Sequence, residues 1–523
     1  MEPLIAGLFR PEAYAHPVGR IELLETHISW VLLTGSYAYK IKKPVNLGFV
    51  DFSTPERRLY FCREELRLNR RLAPELYLGL CAIHGPATAA SFQGDGPIIE
   101  TAVQMRQFRH DDLLPAVLER QELAAHALED LFEQLAGSLA HFHAAAAVAP
   151  DQEPFGTATQ VRAPAIANLE VLDRVLGTDP RLNSLRRWSE EQAQRLAPWF
   201  EARRGNGWIR ECHGDLHLGN MALWQRRILV FDCLEFSPPL RWIDLTSDLA
   251  FLVMDLRQRQ RGELAALVLN RWLELTGDYA GLRAWRWYVV YRALVRAKVA
   301  ALRLQQADLT PSQCSAQQAV IESYLTLAQA TTAPAAPMLL ITHGVSGSGK
   351  SHRARQLARQ LGWLRLRSDV ERKRLFGLWG LPAREPRSGD LYAVEVSEQL
   401  FGEHLPRCAE AVLEAGLSLI VDATFLQRHH RQRFADLAEH CGARFLILDC
   451  RCPPELALRR ISGRQSAGLD PSDADRAVLE QQLKGRDPLD DSELASTLVA
   501  EASDDGDLKR LIDALNTRPA PGP

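Results

Sequence analysis

The residue run Gly344-Val-Ser-Gly-Ser-Gly-Lys350-Ser351 has the composition and spacing of a phosphate-binding loop. Its glycines allow successive backbone N–H groups to turn toward a polyphosphate, and the start of the following helix adds partial positive charge. Lys350 would reach the β- and γ-phosphates of a nucleotide, and the Ser351 hydroxyl would ligate Mg²⁺. The predicted nucleotide phosphate site contains Gly344, Ser346, Gly347, Ser348, Gly349, Lys350 and Ser351.

A second run that could carry chemistry is Cys212-His-Gly-Asp215-Leu-His-Leu-Gly-Asn220. The spacing of Asp215 and Asn220 is that of a kinase catalytic loop, in which the Asp orients the accepting hydroxyl and the Asn binds metal. About a dozen residues later, an apolar run ends in Asp232, where a second metal-binding carboxylate is needed. The sequence therefore predicts a second phosphotransfer site.

Two further carboxylates follow predicted strands in the C-terminal half. Asp422 ends the apolar run that begins at Leu419, the Walker-B-like arrangement that supports Mg²⁺ or its water shell. Asp369 follows the strand predicted over 364–367, so it should point into the crevice at the end of the sheet, although it could instead cap a helix. A later run could place an arginine over a transferring phosphate. The competing arginines are Arg459, Arg460 and Arg464.

The elements that must position the N-terminal residues begin with strands. Residues 21–43 alternate as three short strands with a hairpin turn, residues 55–72 favour a helix, and residues 98–105 favour another strand. Residues 111–149 are alanine-rich and predict helical structure. This succession predicts a small β-rich lobe that leads into a larger α-rich lobe.

The C-terminal residues require a different scaffold. Thr331-Thr-Ala-Pro-Ala-Ala-Pro337 is a short Pro/Ala joint, which predicts domains over residues 1–330 and 338–523 joined by a linker over 331–337. After it, predicted strands alternate with helices, which is typical of an α/β doubly wound domain with a mostly parallel sheet. The predicted strands are 338–343, 364–367, 417–421, 444–449 and 497–500.

On the strength of the Asp215 to Asn220 loop and the following Asp232, residues 20–325 resemble the aminoglycoside phosphotransferase and choline kinase branch of the kinase-like fold. The resemblance implies a two-lobed protein-kinase-like fold. It also implies that Asp215 is the catalytic base and that Asn220 and Asp232 are Mg²⁺ ligands. Asp232 is followed by Cys-Leu-Glu rather than Phe-Gly, so regulation of the eukaryotic type is not implied.

The same resemblance implies the residues that hold ATP. Lys40 should contact the α- and β-phosphates, but Lys42 shares its strand face and is the rival, and Lys40 could also be a solvated lysine. Glu65 is the expected ion-pair partner of the lysine, with Glu64 as the neighbouring alternative. Met105 should lie at the hinge that holds adenine. No Gly-x-Gly-x-x-Gly run precedes Lys40, so the phosphates must be covered by another structure.

The C-terminal half resembles the small P-loop kinases grouped with the polynucleotide 5′-hydroxyl kinase domain and the zeta-toxin-type kinases, which are ATPases of the AAA type. The resemblance implies that Asp369 is the base for the acceptor hydroxyl. It implies that Arg372 contacts a substrate phosphate or the leaving group, and that Arg464 is the lid arginine.

Bulk composition limits the partners of this 523-residue chain. A formal net charge of −3 gives no attraction toward nucleic acid or anionic membrane. No apolar run approaches the roughly 18 residues of a membrane-spanning helix. The nine cysteines are scattered, which favours reduced thiols in a cytoplasmic protein.

These patterns together predict a bifunctional phosphotransferase that uses ATP and Mg²⁺. Each half would transfer the γ-phosphoryl group to a hydroxyl of a small-molecule acceptor. Two alternatives stay open: one half is a nucleotide-gated regulatory module for the other, or the C-terminal half is a nucleic-acid 5′-hydroxyl kinase. The sequence identifies neither acceptor and gives no oligomeric state.

Overall fold

The computed structural model describes residues 2–48, 50–177, 179–306, 309–383, 385–387, 389–467, 476–501 and 507–517. The chain divides into two units that are described separately. Unit 1 consists of Met1–Ser138, Ala146–Val161 and Ala197–Leu252, and unit 2 consists of Leu139–Ala145, Arg162–Leu196 and Val253–Pro523.

Unit 1 begins with a five-stranded antiparallel sheet in the order β1-β2-β3-β5-β4. Helix α2 packs against β4 and β5, and it begins where Thr54 Oγ1 accepts a hydrogen bond from the N–H of Arg57 (3.3 Å). The first elements are α1 (Pro3–Leu8), β1 (Glu22–Glu25), β2 (Ser29–Leu33), β3 (Tyr37–Lys42), α2 (Pro55–Asn69), β4 (Tyr77–His84) and β5 (Ile98–Arg106).

The helical region predicted over 111–149 is two helices, because Gln121 adopts a left-handed conformation (φ 51°) and ends the first of them. Strand β6 pairs with β9, and β7 pairs with β8 in a hairpin whose turn residues Gln225 and Arg226 both have positive φ. The elements are α3 (Leu114–Arg120), α4 (Ala125–Ala145), α5 (Ala158–Leu176), α6 (Pro180–Gly205), β6 (Ile209–Glu211), β7 (Met221–Trp224), β8 (Arg227–Val230), α7 (Pro238–Arg241), β9 (Trp242–Asp244) and α8 (Leu245–Gln258).

Unit 2 contains a five-stranded, fully parallel sheet in the order β11-β12-β10-β13-β14. Its elements include three helices that precede the Pro/Ala joint. The elements are α9 (Gly262–Thr276), α10 (Trp285–Leu304), α11 (Pro311–Thr332), β10 (Met338–His343), α12 (Lys350–Leu361), β11 (Leu364–Arg367), α13 (Ser368–Leu375), α14 (Val394–Gln399), α15 (Leu405–Glu414), β12 (Leu419–Asp422), α16 (Arg428–His440), β13 (Arg444–Arg451), α17 (Pro454–Ala467), α18 (Arg476–Lys484), α19 (Asp491–Ala495), β14 (Thr497–Glu501) and α20 (Asp507–Thr517).

The central strands of this sheet are buried on both faces, as parallel strands covered by helices must be. Leu340 and Ile420 are fully buried in a core that helix α12 covers with Ala354 and Leu357. The strand order changes direction about β10, and ligands bind at the carboxyl ends of strands at such a point. The predicted fold class is confirmed: a kinase-like N-terminal region is followed by a P-loop domain with a parallel sheet.

Among the helices of the described residues, we find none with the length and apolar character needed to cross a membrane.

Candidate active sites

The loop that carries Asp215 follows β6 and is held by two side chains. The carboxylate of Asp248 accepts hydrogen bonds from the backbone N–H groups of His213 (3.1 Å) and Gly214 (2.9 Å). The His213 ring donates through Nε2 to the carbonyl of Phe231 (3.0 Å) and accepts at Nδ1 from the N–H of Asp215 (3.3 Å). Burial lowers the pKa of His213, which favours this neutral tautomer. His213 therefore organises the loop and does not ligate a metal in this arrangement.

Asp215 and Asn220 are in direct contact. The Nδ2 of Asn220 donates to the backbone carbonyl and to the Oδ2 of Asp215, both at 3.0 Å. This bond leaves the Oδ1 of Asn220 as the atom that can ligate a cation. The Nε2 of His217 lies 3.4 Å from Oδ2 of the same Asp215. The β7–β8 hairpin brings the next residue of the set close, because Phe231 N–H donates to the Asn220 carbonyl (3.0 Å) just before Asp232.

Five charged side chains of alternating sign form a chain from the site into the interior of unit 1. Lys40 Nζ lies 2.6 Å from Asp232 Oδ1 and 2.8 Å from Glu65 Oε1. Lys42 Nζ lies 2.8 Å from the other Glu65 oxygen and forms a second ion pair with Glu235. Only the Asp232 end is open to solvent, with its side chain 46% exposed, whereas Glu65 and Lys42 are fully buried.

This charge chain shows where each of the candidates that the sequence left open is placed. Lys40 is the lysine that reaches Asp232, and Lys42 turns inward. Glu65 pairs with both lysines, whereas Glu64 pairs with Arg67 on the surface (2.8 Å). Burial alone would raise the pKa of Glu65, but the charges of Lys40 and Lys42 outweigh it and lower that pKa to about 2.

Sequence reasoning missed Glu235 as a member of this site. It is 3% exposed, and burial raises its pKa despite the nearby Lys42. The available signal was the Asp232-Cys-Leu-Glu235 run, which places a second carboxylate three residues after the first. Met105, the predicted hinge residue, pairs with Ala38 across the sheet and packs in the same apolar cluster as Phe231.

In unit 2, the phosphate loop connects β10 to α12 and approaches its neighbours closely. Gly344 (φ 134°) and Gly347 (φ 81°) have backbone conformations that disfavour side chains. A Cβ on Gly344 would lie 2.7 Å from the Cys450 carbonyl, and one on Gly347 would lie 2.5 Å from the Ala457 carbonyl. The hydroxyl of Ser348 is buried and has no hydrogen-bond partner among the described residues. Such an orphaned donor fits a cradle for phosphate oxygens.

The residues predicted to bind phosphate and Mg²⁺ come together at this loop. Lys350 is 7% exposed, and its Nζ donates to the Val345 carbonyl (2.7 Å), so the lysine folds back over the loop. Ser351 Oγ donates to Oδ1 of Asp422 at the end of β12 (3.1 Å). Hydroxyl and carboxylate oxygens are the donor set that Mg²⁺ prefers, so these residues fit the ion.

A cavity of about 920 Å³ opens from the loop, and both predicted acceptor-side residues, Asp369 and Arg372, line it. Arg372 is 7% exposed and donates to the Leu391 carbonyl (2.8 Å) and to Ser397 Oγ (3.2 Å). Its Nε has no partner among the described residues, and burial lowers its pKa. A buried guanidinium with a spare donor is suited to an anionic group.

Of the competing lid arginines, Arg460 lines the cavity, and a Cβ on Gly349 would lie 3.3 Å from its guanidinium. The side chain of Arg464, the predicted lid residue, lies outside the part of the chain that the structure describes. Sequence reasoning missed Gln482 on α18, whose Oε1 accepts a hydrogen bond from the backbone N–H of Ser346 (2.8 Å). That amide is one of those expected to bind phosphate.

Comparison with known proteins matches two separate regions of the chain. Residues 49–285 match the model of a phosphotransferase enzyme family, and residues 339–489 match that of an AAA domain. Uncharacterized proteins of Mycobacterium tuberculosis and Mycobacterium bovis are 31% identical over 470 residues, which cover 87% of this chain and 89% of theirs. The chain belongs to the family of these mycobacterial proteins. Its matched phosphotransferase and P-loop kinase-like domains make it a kinase.

Solved structures resemble each part of this kinase separately. A choline/ethanolamine kinase family protein from Mesorhizobium loti covers 60% of this chain and 93% of its own, with 13% identity and a TM-score of 0.34. A gluconokinase from Sinorhizobium meliloti covers 35% of this chain and 98% of its own, with 18% identity and a TM-score of 0.25.

Proposed function

We propose that this kinase is a bifunctional ATP-dependent phosphotransferase, in which each half transfers the γ-phosphoryl group of ATP to a hydroxyl of a small-molecule acceptor. The observation that supports it most is that, in each half, two predicted site residues that are far apart in the sequence are in contact. Lys40 meets Asp232 in one site, and Ser351 meets Asp422 in the other. A module that only senses nucleotide has no need of a carboxylate such as Asp215 for an acceptor hydroxyl.

In the kinase-like site, Asp215 would orient the acceptor hydroxyl and accept its proton. Lys40 would contact the α- and β-phosphates, and Met105 would lie beside adenine. Asn220 and Asp232 offer the oxygen atoms that would hold Mg²⁺, which when bound neutralises charge on the phosphates. Because Asn220 already contacts Asp215, the metal ligand and the base are held at a fixed spacing.

In the P-loop site, the backbone of the loop and Lys350 would hold the phosphates, and Ser351 and Asp422 would hold Mg²⁺. Asp369 would accept the proton of the acceptor hydroxyl, and Arg372 would contact an anionic group of the substrate or the leaving group. A lid arginine, Arg464 or Arg460, would stabilise the charge on the transferring phosphoryl group, and the open cavity beside Arg460 supports the second of these. The other predictions kept in this proposal are domains separated at 331–337, small-molecule acceptors in place of nucleic acid, and a cytoplasmic location.

The experiment is transfer of radiolabelled phosphate from ATP across a panel of sugars, amino alcohols, nucleosides and 5′-hydroxyl RNA. It compares wild type with Asp215→Asn and Lys350→Met, each of which disables one site and leaves the other as an internal control. Each variant should lose at least about 100-fold in transfer to one acceptor and keep transfer to a different one. Full activity in both variants, or loss of all transfer in either one alone, would contradict the proposal.

A further inference from the structure

Three metal-ligating side chains meet on the wall of the cavity that contains the phosphate loop. Glu398 is on α14, and His429 and His430 are in the first turn of α16. All three line the cavity, and one ligand atom from each lies within 4.8 Å of the other two. The phosphotransfer chemistry proposed above uses none of them.

In this Glu398–His429–His430 cluster, the two distances from the carboxylate to the imidazole nitrogens match those between ligands around one ion. Oε1 of Glu398 lies 3.4 Å from Nε2 of His429 and 3.3 Å from Nε2 of His430. Both distances exceed the about 2.9–3.0 Å that is typical of N–H···O hydrogen bonds, and the contact between Glu398 and His429 is a long hydrogen bond. A tetrahedral centre with bonds of about 2.0–2.1 Å places its ligand atoms about 3.3–3.4 Å apart.

His430 provides a second and independent indication. Its ring is 6% exposed, and its Nε2, although 3.3 Å from Oε1 of Glu398, makes no hydrogen bond among the described residues. The ring stacks on Phe401, with centroids 4.6 Å apart and planes inclined by 15°, so its orientation is fixed. A buried nitrogen without a partner is unfavourable, and a bound cation would satisfy it.

We propose that Glu398, His429 and His430 bind a divalent transition metal of the zinc class, with at least one coordination position open to the cavity. Imidazole ligands suit zinc and cobalt, whereas Mg²⁺ takes oxygen ligands, so this site is distinct from that of Ser351 and Asp422. Three protein ligands with an open fourth position are the arrangement that lets a metal bind water or a substrate oxygen. The proposal stands independently of the phosphotransfer reactions.

The experiment titrates the metal-free full-length protein with Co²⁺, in excess Mg²⁺, and follows the visible absorption of tetrahedral cobalt and the heat of binding. The test variants are Glu398→Gln and His429→Ala, whose side chains are more than half exposed and whose loss should not unfold the protein. The matched controls are Glu395→Gln on α14 and His440→Ala on α16, which are exposed residues of the same two helices.

Wild type and both controls should bind one Co²⁺ with the absorption of a tetrahedral nitrogen and oxygen site, and Zn²⁺ should displace it. Losing a supporting group around a metal costs about 10–100-fold in affinity, so losing a ligand should weaken Co²⁺ binding at least that much in both test variants. Equal binding in test variants and controls, displacement by Mg²⁺, absence of binding, or a thiolate-to-cobalt charge-transfer band would each overturn the proposal. The last result would place the ion at a cysteine elsewhere in the chain.

Discussion

Lys40 and Lys42 lie on the same face of β3, but replacing each with methionine should have different consequences. Lys42→Met should mainly lower stability, and Lys40→Met should mainly lower activity. Lys42→Met removes the cation between two buried carboxylates and leaves Glu235, which is 3% exposed, without its ion-pair partner. Breaking a buried ion pair from one side costs about 3–5 kcal/mol, a large part of the about 5–15 kcal/mol that stabilises a typical domain. At about 2–4 °C per kcal/mol, unit 1 should melt about 6–20 °C lower.

Lys40→Met should instead leave a folded protein with little activity. Asp232 is 46% exposed and stays solvated without its partner, and Glu65 keeps its ion pair with Lys42. Because the buried Oε1 of Glu65 loses its contact with Lys40, we expect a stability loss of about 1–3 kcal/mol, at or below the low end of the range for Lys42→Met. Loss of a charge-stabilising donor at the phosphates should lower kcat in the kinase-like reaction about 100–1,000-fold.

The assay pairs phosphate transfer with scanning calorimetry and with hydrogen exchange of the amides in β3 and α2, which report on this part of unit 1 alone. The double variant Lys42→Met/Glu235→Gln is the control, because it removes both members of the inner pair and should recover most of the lost stability. The reasoning fails if Lys42→Met is as stable as wild type, if the double variant is no better than the single one, or if Lys40→Met retains full transfer.

Three other outcomes follow from single contacts. The depressed pKa of Glu65 means that its contribution to stability is complete above about pH 4.5 and is lost as the pH falls toward 2; acid melting curves of wild type should show this loss, and those of Glu65→Gln should lack it. Asp422→Asn should raise the Mg²⁺ concentration needed for ATP binding about 10–100-fold, measured by calorimetry, and an unchanged Mg²⁺ dependence would exclude Asp422 from the site. Asn270 accepts a hydrogen bond from the N–H of Arg365 (2.7 Å) and donates one to the Trp363 carbonyl (3.0 Å). Asn270→Ala should therefore destabilise unit 2 by about 2 kcal/mol in urea titrations. A change below about 0.5 kcal/mol would show that water replaces both bonds.

What the sequence could predict is what lies close together along the chain. The phosphate loop is contiguous, and Asp215 and Asn220 are only five positions apart. Residue type and spacing were therefore sufficient to predict that the residues of each run lie together. The position of Asp422 could be predicted because the end of a buried parallel strand has a known position in such a sheet. Strand β4 was missed because Tyr77–His84 lacks the alternation of apolar and polar residues that indicates a strand.

What the sequence could not predict depends on contacts between distant residues. Period-two alternation places Lys40 and Lys42 on one face and cannot say which of them is nearer the phosphates. The distinction arises only when Asp232, almost two hundred positions away, folds against Lys40. The contact of Gln482 with Ser346 of the phosphate loop likewise joins residues 136 positions apart, and no local sequence pattern predicts it.

Helix α11 ends at Thr332, inside the Pro/Ala joint, and packing continues across the joint. Within unit 2, the carbonyls of Glu274 and Leu275 at the end of α9 accept hydrogen bonds from Trp379 Nε1 (2.9 Å), Leu381 N–H (2.8 Å) and the guanidinium of Arg374. Arg374 belongs to α13, the helix whose first turn carries Asp369. The last carbonyls of a helix have no partner within the helix. In α9, residues from beyond the joint donate to two of these carbonyls. The helix that carries the proposed P-loop base is therefore held, at its last turn, by a helix of the preceding phosphotransferase region.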